Sequence, residues 1–196
     1  MKNPGTLVIL LTSFWLGGCA SVGAFRGITP DEDSLYINGL PPLLQDKHYA
    51  CGATCVAAVA VFWNVPLTEI RVKHPELPAE MTGLELELLA KELGLDAFAY
   101  RGTTDDLQEN LRKGRPMIVM IPQPLLPRGD VASSVLLNAW NQWGSKPAHW
   151  VVVIGMTKNQ AVIIHDPASG PMVVKREAFL SWWAQKENLT VLLAAK

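Results

Sequence analysis

The sequence predicts an α+β fold, and three observations predict it. Helical apolar patterns dominate residues 52–113, strand-length apolar runs dominate residues 117–193, and those runs follow one another at hairpin spacing, as in an antiparallel sheet. The 196 residues are 49% hydrophobic, enough for one domain with a sizeable core. A formal net charge of -1 leaves no basic excess to neutralise phosphates, which argues against nucleic acid as a partner. The three cysteines come without a CxxC or HxxxH pair, so no metal site and no cofactor is expected.

Gly52 to Trp63 is Ala-rich, apolar throughout and too long for a strand, and reads as a buried helix ended before Pro66. Leu67 to Val72 follows as a short helix. Thr82 to Leu93 carries leucines among acidic residues, with Thr82 as N-cap, Glu85 in the capping-box position and Gly94 as the stop. The acidic side of this helix reads as a solvated face. Asp96 to Tyr100 suits a short strand, and Thr104 to Lys113 a helix closed by Gly114. Strands are then expected at Met117–Ile121, Trp150–Met156, Ala161–His165, Met172–Lys175 and Leu189–Leu193, with a helix at Glu177–Lys186. The connection 122–147 is long for a compact domain, which points to a functional or mobile loop whose Trp140 and Trp143 are candidate groove residues.

The N-terminus has its own chemistry. The apolar run Leu7 to Leu16 is too short to span a bilayer but has the length of a signal-peptide core. Leu16-Gly17-Gly18-Cys19 resembles the lipobox of bacterial lipoproteins. That resemblance implies cleavage before Cys19, lipidation of its sulfur and a membrane-anchored protein of the cell envelope; Ala20 after the cysteine favours the outer membrane, facing the periplasm. An ordinary signal peptide with an incidental cysteine is the alternative. The expected organisation is a signal peptide at 1–18, a lipidated tether at 19–39 and one domain at 40–196. Within 40–44, Leu40-Pro41-Pro42-Leu43 is an extended approach segment, because each proline biases its predecessor away from the helix.

If Cys19 is acylated, Cys51 and Cys55 remain as thiols in an oxidising compartment, and their spacing on one helix suits a disulfide poorly. Cys51 falls in the first turn of the 52–63 helix, where unpaired N–H groups and the macrodipole favour a thiolate. Gly52 and Ala53 are expected to leave room there for a substrate backbone. His149 opens a core strand just after the long loop, and Asp166 ends the next strand, so a hairpin turning at Lys158-Asn159 makes them neighbours. His165 and Asp166 point to opposite faces of one strand, which sets His165 outside the site. His48 reads as a surface residue, His74 as part of a polar loop before Pro75, Cys55 as core, and Trp182-Trp183 as core plus a half-exposed face.

Three motifs carry a family resemblance. Gln45 stands six residues before Cys51-Gly52, His149-Trp150-Val151-Val152-Val153-Ile154-Gly155 follows, and Asp166-Pro167-Ala168-Ser169-Gly170 closes the series. In this order and spacing they resemble the C39 cysteine peptidases, over roughly residues 40–195. The resemblance implies a papain-like fold with Cys51 as nucleophile, His149 as base and acid, Asp166 as the residue that orients the ring, and the Gln45 amide beside the Cys51 N–H in an oxyanion hole. The stand-alone lipoprotein branch of the family is the expectation, acting on a peptide or protein substrate. Ala50 departs from the acidic residue often found just before the nucleophile.

Two other readings stay open on the sequence: a silent peptidase-like scaffold that binds peptides, and a thiol acyl or peptidyl transferase in which an amine replaces water. The anchor is testable directly. Cys19→Ser should release or misprocess the protein, while the wild type should need detergent for extraction, as followed by fractionation and mass analysis of its N-terminus; a native soluble species beginning at an unlipidated Cys19 would refute the lipobox.

Overall fold

The computed structural model describes residues 34–46, 50–123 and 147–196. Seven strands, β1 (Leu35–Tyr36), β2 (Asp96–Arg101), β3 (Met117–Pro122), β4 (Ala148–Met156), β5 (Val162–Asp166), β6 (Gly170–Val174) and β7 (Leu189–Ala194), form one sheet. Among the described residues five helices accompany it: α1 (Cys51–Phe62), α2 (Leu67–Lys73), α3 (Gly83–Glu92), α4 (Thr104–Arg112) and α5 (Arg176–Ala184). The strand order is β2-β7-β3-β4-β5-β6, with β1 on β4, and every pairing is antiparallel. The predicted α+β class and the order of its elements therefore hold. No helix among the described residues is long and apolar enough to cross a membrane.

The sheet carries a core on each face. Residues of α1 and α3 with Ile70 of α2 bury Ile118, Val152, Ile154, Ile163 and Val191 on one side. On the other, Leu107 and Leu111 of α4 and Phe179 and Trp183 of α5 meet Val119, Ile121, Val151, Val153 and Ile164. The sequence pointed to helices packed on a sheet; the structure adds that α4 and α5 cover the second face, so the strands are sandwiched. This explains why β3, β4 and β5 read as continuous apolar runs rather than alternating ones.

Local chemistry sets the helices. The first ten residues of α1 are buried, consistent with a helix apolar on all sides. Helix α3 starts on the expected capping box of Thr82 and Glu85, and Gly94 follows it at φ +86°. A second capping box, Thr103 with Asp106, opens α4. The α3 face is not only solvated: Glu87 Oε2 accepts the backbone N–H of Ala99 at 2.7 Å, so one of its carboxylates holds β2 to the helix.

Residues 35–37, which the sequence reading placed in the tether, pair with the sheet. Leu35 and Tyr36 lie opposite Met156 and Gly155, Ile37 N–H donates to Ile154 O at 2.8 Å, and the Ile37 side chain is buried in the second core. A two-residue strand in a polar lead-in is too short to show an alternation. Gly155 permits the contact, since a Cβ there would stand 2.7 Å from Leu35 O.

Gly52 has a different use from the one its sequence position implied. A Cβ at Gly52 would come within 2.9 Å of both Leu86 Cδ2 and Trp150 Cδ1, so the space is taken by the protein's own packing rather than left for a substrate. Gly52→Ala should cost about 1–3 kcal/mol of stability through overpacking and slow the reactions of Cys51; an unchanged urea midpoint would show that the indole and leucine yield freely.

Candidate active site

Cys51 is the first residue of α1, and its N-cap, Ala50, supplies no side-chain hydrogen bond. There is no acidic residue in the first turn. Helices α3 and α4 both satisfy their leading N–H groups with capping boxes, but α1 leaves its own unclaimed by side chains. The positive end of a twelve-residue helix therefore acts on the Cys51 sulfur. The residue is 6% exposed.

The β4–β5 hairpin positions the second and third groups. Val153 faces Ile164 and Val152 faces His165, so continuation of this register sets Asp166 opposite Val151, with His149 two residues further on the same face. The side chains meet across that diagonal: His149 Nε2 lies 2.8 Å from Asp166 Oδ1. With Nε2 committed, Nδ1 is the ring nitrogen available to the thiol, and Cys51 and His149 are themselves hydrogen-bonded. The bulge between Val153 and Gly155 lies beyond this region and leaves the diagonal intact.

Asp166 accepts on both of its oxygens. Its Oδ1 also accepts the Ala168 N–H at 2.7 Å, and its Oδ2 accepts the Ser169 hydroxyl at 2.8 Å. The Asp-Pro-Ala-Ser-Gly corner thus folds back on its own carboxylate, as an aspartate two residues before a free N–H tends to do. Gln45 joins the same corner, its backbone N–H donating to Pro167 O at 2.8 Å. Its side-chain Oε1 is buried and has no hydrogen-bond partner among the described residues. Since the two ends of a primary amide are isosteric, that position equally suits an N–H donor waiting for an acceptor.

The electrostatics follow from these contacts. Burial would raise the Cys51 pKa, but the bond to His149, bonds from the backbone at Trp150 and Gly52 and the charge of the ring outweigh it, and the thiol is lowered from 9.0. Burial opposes charge on His149 too; the Asp166 and Cys51 partners override it and lift the imidazole to about 9. For Asp166, burial pushes up and His149, Ala168 and Ser169 pull further down, so the carboxylate stays ionised. These groups titrate as one set, and near neutral pH the arrangement favours thiolate, imidazolium and carboxylate together.

The other candidates divide clearly. Cys55 is fully buried, raised well above 9.0 by burial and by the charges of Cys51 and Asp166, and its thiol donates to Trp150 O at 3.4 Å. Both cysteines are free thiols. His165 lies on the opposite face of β5 from Asp166, and its Nε2 contacts Leu43 O at 2.9 Å. His74 closes α2 and lies 3.6 Å from Glu92. Trp183 is buried and Trp182 half-buried, as expected. Cys19, His48, Trp140 and Trp143 fall outside the described residues.

Two residues that sequence reasoning missed support the site. Trp150 packs on Gly52, donates Nε1–H to Met81 O at 2.9 Å and holds Cys55 through its carbonyl, which clamps α1 to the strand bearing His149. Its place right after the histidine, matched by a glycine right after the cysteine, was the available signal. Ser169 was marked only by being a hydroxyl three residues after an aspartate.

The titration of the thiol tests this arrangement. Iodoacetamide should label Cys51 rapidly at neutral pH and leave Cys55 untouched in the folded protein. The midpoint of the Cys51 pH–rate profile should lie below 9, and His149→Ala should move it upward, because burial then acts with less opposition. Equal midpoints in the two proteins would refute the coupling.

Comparisons with known proteins bear on the fold and the family. The model of the Peptidase_C39 like family matches residues 37–191. Among solved structures, the chain is similar to a protein described as a C39-like peptidase from Bacillus anthracis, with a TM-score of 0.63 at 16% identity over 84% of this chain and 99% of that one. It is also similar to the peptidase domain of Streptococcus ComA, a bi-functional ABC transporter involved in a quorum-sensing pathway (TM-score 0.56, 22% identity, 79% and 97% covered). A third likeness is to a double glycine motif protease from an AMS/PCAT transporter, solved in complex with the leader peptide (TM-score 0.53, 22% identity, 86% and 99% covered). Curated protein sequences give no match. At these identities the structures establish a shared papain-like fold, and the family match over most of the chain adds the rest: the chain belongs to the Peptidase_C39 like family, which supports a peptidase-type function.

Proposed function

We propose that this chain is a cysteine peptidase of the bacterial cell envelope, held at the membrane by a lipid on Cys19. In this reading residues 1–18 are a removed signal peptide, the chain from 19 is a tether, and the domain described above acts on peptides. The observation that carries the peptidase reading is the continuous relay from Cys51 through His149 to Asp166, at the N-terminus of a helix that no side chain caps. The leader peptide held by one similar protease supports a peptide as the substrate class.

The chemistry runs as follows. The Cys51 thiolate attacks a peptide carbonyl, forming a C–S bond, and the carbonyl oxygen becomes an oxyanion. The Gln45 amide and the Cys51 backbone N–H receive that charge, a type of interaction worth about 2.7–4 kcal/mol per donor. His149 passes its proton to the leaving amine as the C–N bond breaks, which leaves a thioester. Water, deprotonated by the now neutral ring, then hydrolyses the thioester and regenerates the thiolate. Asp166 orients the ring and stabilises its charge without exchanging a proton.

The test is an ordered set of variants with a cleavable peptide. Cys51→Ala should abolish turnover, His149→Ala should be nearly as damaging, and Asp166→Ala milder. Gln45→Ala should lower kcat by about 10²–10³-fold with little change in binding. The pH profile of kcat/KM should be bell-shaped. Its acid limb, where the thiolate is protonated, lies below the ordinary thiol value, and its alkaline limb, where His149 loses its proton, falls near 9. Turnover that survives Cys51→Ala would refute the reading.

A further inference from the structure

His165 is the second buried histidine of the sheet, fully shielded on β5 and set on the opposite face of that strand from Asp166 by its alternation. The proposed mechanism does not use it. Its partner is a backbone carbonyl, Leu43 O at 2.9 Å, so Nε2 must carry the hydrogen and donate. Two residues later along the lead-in, Gln45 N–H donates to Pro167 O. The lead-in and the end of β5 are thus joined by two bonds, Leu43 to His165 and Gln45 to Pro167, that straddle Asp166.

This clasp bears on Gln45 because the apolar anchors of the lead-in, buried Leu40 and partly buried Leu43, lie upstream of it. Leu44, between the two bonded residues, is largely exposed, and the Gln45 amide has its Oε1 buried without a protein partner. The side chain is therefore placed by its backbone, which the clasp joins to the end of β5 beyond the anchors at Leu40 and Leu43. Pro41 and Pro42 stiffen the segment upstream but give it no attachment to β5. An oxyanion donor displaced by about an ångström loses much of its effect on the transition state.

We propose that His165 is a positioning residue: its Nε2–H bond to the Leu43 carbonyl fixes the lead-in segment so that the Gln45 amide stands at the oxyanion site. This rests on the reading of Cys51 as nucleophile and Gln45 as oxyanion donor given above.

Two probes separate positioning from general support of the fold. Iodoacetamide reacts by substitution at a saturated carbon, so alkylation of Cys51 reports the thiolate and needs no oxyanion hole. The p-nitrophenyl ester of N-acetylglycine acylates the thiolate through a tetrahedral intermediate: the C–S bond forms, the ester C–O bond breaks, and nitrophenolate leaves and is counted. In the full-length protein, His165→Leu should slow acylation by about 10–100-fold, no more than the roughly 10²–10³-fold loss expected for removing the donor itself, and should leave the alkylation rate nearly unchanged. His165→Gln, whose amide N–H can reach the Leu43 carbonyl, should recover most of the acylation rate. His165→Leu combined with Gln45→Ala should be about as slow as Gln45→Ala alone, since both remove one interaction. Wild-type acylation in His165→Leu, matched losses of acylation and alkylation in both His165 variants, or multiplied effects in the double variant would overturn the proposal. Ester cleavage that persists in Cys51→Ala would overturn the nucleophile reading beneath it, and is recognised separately because it concerns the wild-type reaction.

Discussion

The buried pair of His149 and Asp166 constrains the rest of this structure. Both residues are almost fully shielded, at 4% and 1% exposure, and both favour their charged forms. Taking two charges out of water costs several kcal/mol each unless their remaining hydrogen-bond capacity is met. The corner after β5 meets it. Ala168 and Ser169 supply two further donors to a carboxylate already bonded to the ring, as the chain after Asp166 turns back on it. The imidazolium in turn needs an anion at its other nitrogen, and that anion is the thiolate at the head of α1. Each charge is tolerated because the next one is present, so the three groups are better treated as one buried unit than as separate residues.

Such a unit requires that a helix, a strand and a turn keep fixed relations, and the residue next to the histidine secures them. Trp150 belongs to the core shared with α1 and α3, and its indole occupies the space that the missing Gly52 side chain leaves. The same residue bonds the chain just before α3 through its ring nitrogen and α1 through its carbonyl. Cys55, one helical turn after Cys51, is the α1 partner in that last contact. Two sulfur atoms of similar sequence setting thereby serve opposite ends. One is kept as an anion by donors and a cation. The other is kept as a thiol by burial and by the negative charges near it, and its S–H is spent on a carbonyl.

Much of the fold was legible because its signals are local. The Thr82 and Glu85 capping box, the apolar helix after Cys51 and the strand runs at 117–121 and 150–156 are each set by neighbours a few residues apart, and they stand as read. The meeting of His149 and Asp166 was legible too, since a hairpin places the start of one strand beside the end of the next. What escaped depends on contacts between distant segments. Nothing near Leu35 tells that two residues will pair with the end of β4, nothing near α4 and α5 tells which face of the sheet they cover, and the use of Gly52 appears only once Trp150, almost a hundred residues later, lies against it.

The two sheet histidines show why residue type alone does not assign a role. His149 and His165 lie on adjacent strands, and both are buried. Burial acts on each in the same direction, against the charged ring. For His149 it is overcome by a carboxylate at one nitrogen and a thiolate at the other, and the ring is charged near neutral pH. For His165 it prevails over the Leu43 carbonyl and the charge of Asp166, and the pKa is lowered. A neutral ring with its hydrogen on Nε2 is a fixed donor, suited to hold a backbone carbonyl and unsuited to shuttle protons. The alternation of β5 produces this division, because it turns Asp166 toward His149 and His165 toward the lead-in. A one-residue slip of that strand would exchange the two faces, pointing the carboxylate at a carbonyl and leaving His149 without its counter-charge. Register in the β4–β5 hairpin is therefore what separates the histidine that meets a carboxylate from the one that meets a backbone carbonyl.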